Sequence, residues 1–264
     1  MGKISQKPRY KTRNNRLIGW KLLAVLTLFM STGLLVTLTN FSVNAVFREQ
    51  ERNFQLSISL PISQKSYPLP PSLKNWQDKT NSGDYFDNIQ STKVGYLIWS
   101  LFPVKVKIET PTEINKKQSQ IWVNSVLQAV QEWNTYLPLE VVENSAVADI
   151  RIFRKAPPLQ IETASKIPRA RSALTTYELY NQNNVLSHRF TILLSPSQTG
   201  EYVQAAARHE LGHALGIWGH SPLPTDALYF SQVRKPASIS TRDVNTLKKV
   251  YEQSTSLGSS QVKK

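Results

Sequence analysis

Cysteine is absent from all 264 residues. That one absence removes disulfides, thiolate metal ligands and a catalytic thiol, so ligand chemistry must use nitrogen or oxygen. Histidine is scarce, with four in the chain, and methionine scarcer, with Met1 and Met30 alone. No acid precedes Glu49, whereas seven basic residues (Lys3, Lys7, Arg9, Lys11, Arg13, Arg16 and Lys21) fall in the first 21 positions. Half of the formal net charge of +14 therefore sits in a short leader, and from residue 46 onward 25 Lys plus Arg face 18 Asp plus Glu. These later basic residues are scattered rather than striped along a helix, and no nucleic-acid-binding motif accompanies them. Nucleic acid is not an implied partner.

The basic leader (1–21) runs into twenty uncharged residues, Leu22 to Phe41, "LLAVLTLFMSTGLLVTLTNF". Twenty helical residues can cross a bilayer core of ~30 Å, and flanking Lys and Arg hold that end in the cytoplasm. Two readings stand: a retained transmembrane anchor, or a cleavable signal core with Val43-Asn44-Ala45 as the small-residue site. Both place the rest of the chain outside the cytoplasm, attached to or released from the membrane.

Residues 46–92 are polar and punctuated by Pro, Gly, Asn and Ser, as in a spacer or pro-like segment that wraps a domain. Trp76, Tyr85 and Phe86 imply docking rather than a free tether. A folded domain is expected over 93–253. "FPVKVKIET" alternates apolar and basic residues, the period of a half-buried strand. Thr110, Pro111 and Glu113 resemble a capping box opening a helix, on which Trp122, Val126, Val130 and Trp133 share one face. "LEVVE", "ADIRIFR" and "HRFTILLSP" read as strands, with Lys155 to Ser187 a long irregular loop between the last two. A helix from about Glu201 to Leu215 precedes a final one, capped by Ser240 and Asp243, with Val244, Leu247 and Tyr251 facing inward. The fold class is α+β, a twisted mixed sheet with three helices; 254–264 reads as a disordered tail.

Three of the four histidines fall within "RHELGHALGIWGHS", residues 208–221. Residues four apart share a helix face, so His209 and His213 can offer two imidazole nitrogens to one metal at ~2.0–2.1 Å. Glu210 flanks the first and can take a proton from a zinc-activated water. Gly216 is suited to end the helix, and the returning chain can bring His220 as third ligand. Three protein ligands and one open position define a catalytic zinc site.

The stretch resembles the zinc-binding consensus of metzincin metalloproteases, HExxHxxGxxH, in its matrixin form. Residues 209–216 and Gly219-His220-Ser221 carry the likeness, which extends over about 95–253 and leaves the N-terminal third aside. The resemblance implies a Zn2+-dependent endopeptidase acting on extended polypeptides, with His209, His213 and His220 as ligands and Glu210 as general base. It also implies that an edge strand above the cleft, taken here as "FTILLSP", pairs with substrate. Two departures stand out. One residue, Ile217 or Trp218, is added before the third histidine, leaving Asp226 or a water as the fallback ligand. In the family's methionine turn, "DALYFS" places Leu228 where methionine is usual, a volume-conserving change costing typically < 1.5 kcal/mol.

Plainer readings apply to the other candidates: His188 caps or flanks its strand, Tyr229 and Phe230 pack in the turn, and Arg208 is a solvated neighbour. Tyr229 could alternatively assist at the metal. A gluzincin arrangement would need a later glutamate, and only Glu252 is available. The competing function is a catalytically inactive, zinc-stabilised binding module, against which the intact Glu210 argues. Substrate-binding residues and oligomeric state have no signature in the chain.

Overall fold

A computed structural model describes residues 64–161 and 168–260. The basic leader, the apolar run 22–41 and the first part of the spacer lie outside them. Among the described residues no helix is long and apolar enough to cross a membrane.

Strand β1 (Val104–Ile108) buries Val104, Val106 and Ile108 and turns Lys105 and Lys107 to the opposite face, as its alternation predicts. It pairs in parallel with β2 (Leu139–Val141) and β3 (Ile150–Arg154). A two-stranded ribbon, β4 (Gln160–Ile161) with β5 (Pro168–Arg169), stands apart. β6 (Ala173–Gln182) and β7 (Val185–Leu194) are antiparallel over ten residue pairs, and β7 pairs in parallel with β3. The main sheet thus has five strands, in the order β2-β1-β3-β7-β6. The mixed sheet and its helices agree with the α+β expectation.

β6 corrects the expectation of an irregular stretch from 155 to 187. The device that makes it is a two-residue hairpin turn, with Asn183 at φ 53° and Asn184 at φ 64°. Asparagine tolerates that left-handed backbone, which matches the twist of the flanking strands. β6 is the outermost strand, so solvent wets much of it and its residues need no apolar alternation. The same pairing corrects the place of "FTILLSP": its strand residues, 190–194, belong to β7, which is interior, and β6 is the sheet edge beside it.

Helix α1 (Pro71–Asn75) is a single turn with proline at its start. α2 (Lys116–Asn134) begins later than the Thr110-Pro111-Glu113 pattern predicts. Its cap is Asn115, whose side chain accepts from Gln118 N at 2.9 Å. Glu113 instead pairs with Arg154 at 2.8 Å. Trp122, Val126, Val130 and Trp133 are buried on one face, as expected. α3 (Glu201–Ala214) packs against α2 and against β6 and β7. α4 (Thr241–Tyr251) has the predicted reciprocal capping box between Ser240 and Asp243.

The core extends beyond 93–253 at both ends. Leu73 (0% exposed), Tyr85 and Ile89 join it from the upstream side; burying one such leucine contributes about 1.5–3 kcal/mol. Residues 254–260, expected as a disordered tail, are anchored instead. Thr255, Ser256 and Leu257 are buried, Thr255 exchanges both backbone hydrogen bonds with Lys65, and Ser260 bridges Val185. His188 lies within β7 rather than capping it. Its ring stacks on Trp99 at 4.0 Å, and its Nε2 is buried without a hydrogen-bond partner among the described residues. Burial pushes its pKa down to about 3.

Candidate metal centre

The last turn of α3 ends in a tight reversal. Gly216 N donates to His213 O and Ile217 N to Gly212 O, the paired 5→2 and 6→1 bonds of a Schellman end, with Gly216 at φ 128°. The chain then makes two consecutive three-residue turns, Trp218 N to Gly216 O and Gly219 N to Ile217 O, both 2.9 Å. Ile217 is driven into the core, and Trp218 lies edge-on against Tyr177 at 5.2 Å. Gly219 pairs with Ile89, and a side chain there would collide with the carbonyl of Asn88.

His220 is thereby delivered to the two helical histidines. The ligand-capable atoms of His209, His213 and His220 all lie within 4.8 Å of one another. His209 Nε2 and His213 Nε2 are 3.1 Å apart. Their Nδ1 atoms face carbonyls, Ala227 O at 2.9 Å and Ile217 O at 2.8 Å. A carbonyl only accepts, so each Nδ1 carries a hydrogen, and in a neutral ring the Nε2 is then the atom with the lone pair. Two lone pairs at that separation repel unless a proton or a metal ion lies between them. Nitrogens sharing one tetrahedral zinc at ~2.0–2.1 Å stand ~3.3 Å apart, so this donor set fits zinc. Carbonyl orientation of the distal nitrogen is also how metal-bound histidines are commonly held.

Burial lowers the His213 pKa well below its ordinary value, with His209 and His220 adding to it; burial and then His209 take His220 down to about 4. Both imidazoles are therefore neutral, the ligating form, at neutral pH.

Glu210 is 7% exposed and turned into the same cleft. Burial raises its pKa, while His209 and a hydrogen bond from Thr175 pull the other way. That bond, Thr175 Oγ1 to Glu210 Oε2, is 2.5 Å, and the same hydroxyl also reaches Glu210 O at 3.1 Å. No sequence signal marks Thr175; only the register of β6 brings it here. The cleft holds about 760 Å3 between the start of β6, α3 and residues 226–237.

The remaining candidates have defined places. Asp226 is outside the histidine group; Ser221 Oγ donates to it at 2.5 Å and Arg242 Nε at 3.1 Å. Tyr229 and Phe230 line the cleft, with Phe230 64% exposed. Leu228 is fully buried directly beneath Gly212 of α3. Glu252 is exposed at the end of α4 and apart from the histidines. Arg208 is not solvated: it is 7% exposed, its guanidinium forked onto Glu132 at 2.5 and 2.8 Å and bound to Ala237 O at 2.7 Å. No protein-family model matches the chain, and no curated protein is found to be similar to it.

Proposed function

We propose that the chain is a zinc-dependent endopeptidase of metzincin, matrixin-like type, hydrolysing extended polypeptides outside the cytoplasm. The observation that carries the reading is the convergence of two tautomer-fixed Nε2 atoms, 3.1 Å apart, with His220 beside them and Glu210 in the same cleft. A bound zinc supplies Lewis acidity, polarising a carbonyl and making a water more acidic. His209, His213 and His220 hold the ion. Glu210 takes the proton of the attacking water and returns it to the departing amine. Thr175 occupies Oε2, which leaves Oε1 as the proton acceptor.

Substrate is recognised along β6. Among the described residues no strand pairs with its outer side, so its free backbone groups suit an extended peptide added as a further strand. The role expected of "FTILLSP" passes to this neighbour. The basic leader and the run 22–41 anchor the chain in the membrane or export it.

The test is peptide cleavage by the zinc-loaded chain beside Glu210→Gln. The variant should retain zinc and lose at least about 100-fold in rate, since general-base catalysis contributes 10²–10⁴-fold. A zinc-loaded parent that cleaves nothing in a broad peptide library would leave the binding-module reading in its place.

A further inference from the structure

We propose that residues 85–90, far upstream of the histidines, form a strap that sets the geometry of the metal centre, with Tyr85 as its principal positioning residue. The inference rests on the reading that His209, His213 and His220 share one ion. It deepens that reading by making ion affinity depend on a segment that the sequence assigns to a spacer.

Two connections run from the strap to the imidazoles. The first begins at Tyr85, which is 4% exposed and donates its hydroxyl hydrogen to Asp243 Oδ1 at 2.5 Å. Asp243 is fully buried, and its other oxygen accepts from Ala227 N at 2.8 Å and from Ser240 N at 2.8 Å. The carbonyl of the same Ala227 receives His209 Nδ1 at 2.9 Å. Tyr85 thus fixes a carboxylate, the carboxylate fixes a peptide unit, and that residue's carbonyl fixes the ring of the first ligand.

The second connection is backbone to backbone. Gln90 N donates to Trp218 O at 3.0 Å, and Ile89 pairs with Gly219. These contacts clamp the two residues that separate Ile217, whose carbonyl receives His213 Nδ1 at 2.8 Å, from His220. The lengthened turn has little helix to stiffen it, so the strap supplies the rigidity. The strap is itself tied down elsewhere: Tyr85 N donates to Thr246 Oγ1 at 3.0 Å, and Asp84 pairs with Lys249 at 2.7 Å.

Groups that orient metal ligands from outside the coordination sphere typically contribute 10–100-fold to metal affinity. The experiment measures Zn2+ affinity by chelator competition, and the visible absorption of the Co2+ form, in the full-length chain. Four proteins are compared: the parent, Tyr85→Phe, Gln90→Pro, and Tyr67→Phe as a control. Tyr67 also donates its hydroxyl from the upstream segment, but to Leu257 O at 2.7 Å, with no path to residues 217–227.

Tyr85→Phe and Gln90→Pro are expected to weaken Zn2+ binding 10–100-fold and to alter the Co2+ band shape. Tyr67→Phe should lower the melting temperature of the metal-free chain and change neither metal readout. If Tyr85→Phe and Gln90→Pro lower the melting temperature but bind both ions as the parent does, the strap is structural only and the inference fails. If the parent itself binds neither ion, the metal reading fails first and takes the strap with it.

Discussion

Thr175, on the outermost strand of the sheet, gives its hydroxyl hydrogen to Glu210 on α3 at 2.5 Å. The carboxylate is buried, and the threonine hydroxyl is bonded directly to one of its oxygens. Thr175→Val keeps the shape and removes the donor. It is expected to lower kcat about 10-fold, the equivalent of ~1.4 kcal/mol and within the range for an ordinary hydrogen bond. Zn2+ affinity should stay at the parental value. Steady-state cleavage of a good peptide, with chelator competition alongside, reads both; an unchanged kcat would remove Thr175 from the working site.

His188 predicts an acid-limb effect. Its folded pKa is pushed down to about 3 by burial, whereas an unfolded histidine titrates near 6.5. Below ~6.5 the unfolded chain takes up a proton that the folded chain refuses, so this residue's contribution to stability is full above ~6.5 and falls as pH drops towards 3. At pH 5 the loss amounts to about 2 kcal/mol. His188→Phe retains a ring against Trp99 and cannot titrate. The difference in unfolding free energy between variant and parent should shift in the variant's favour by that amount between pH 7 and pH 5. A difference independent of pH would show that His188 is not held neutral.

Arg208 and Glu132 join α3 to α2, with Gln204 donating to the same glutamate at 2.7 Å. Glu132→Ala strands a guanidinium whose side chain is only 9% exposed, and is expected to cost about 2 kcal/mol, below the 3–5 kcal/mol of a fully buried pair because Glu132 is partly wet. Replacing both residues by methionine should recover most of it, since no charge is left uncompensated. Urea unfolding of the two singles and the double measures the coupling. A cost under about 0.5 kcal/mol for Glu132→Ala would reduce the pair to an ordinary surface contact.

The helical part of the site is legible in the sequence because its geometry is local: His209, Glu210 and His213 share one helix, and the helical repeat alone brings the histidines together. His220 is legible from its spacing, although the route of the turn is not, since Ile217 is placed by the core. Thr175 is invisible beforehand, and Tyr85 is legible as a docking aromatic but not as a residue connected to the histidines. Each acts across a large sequence separation through the register of a strand or the path of a loop, and neither residue type is distinctive. β6 escapes notice because its inward positions include Ala173 and Thr175, so the alternation in burial is not an alternation in hydropathy. The true start of α2 is obscured by a plausible cap whose glutamate is claimed by Arg154. Residues 254–260 look like a tail because small polar residues hold them through backbone bridges, which hydropathy does not register.

The paired reversals at Gly216–Gly219 carry a mechanical implication. They fold the residues between the helix end and His220 into a compact kink, so the approach of the third imidazole is set by local backbone bonds. The interval from His209 to His213, by contrast, is locked by helical pitch. The kink tolerates only a small residue beside the final histidine, where the upstream backbone presses closest.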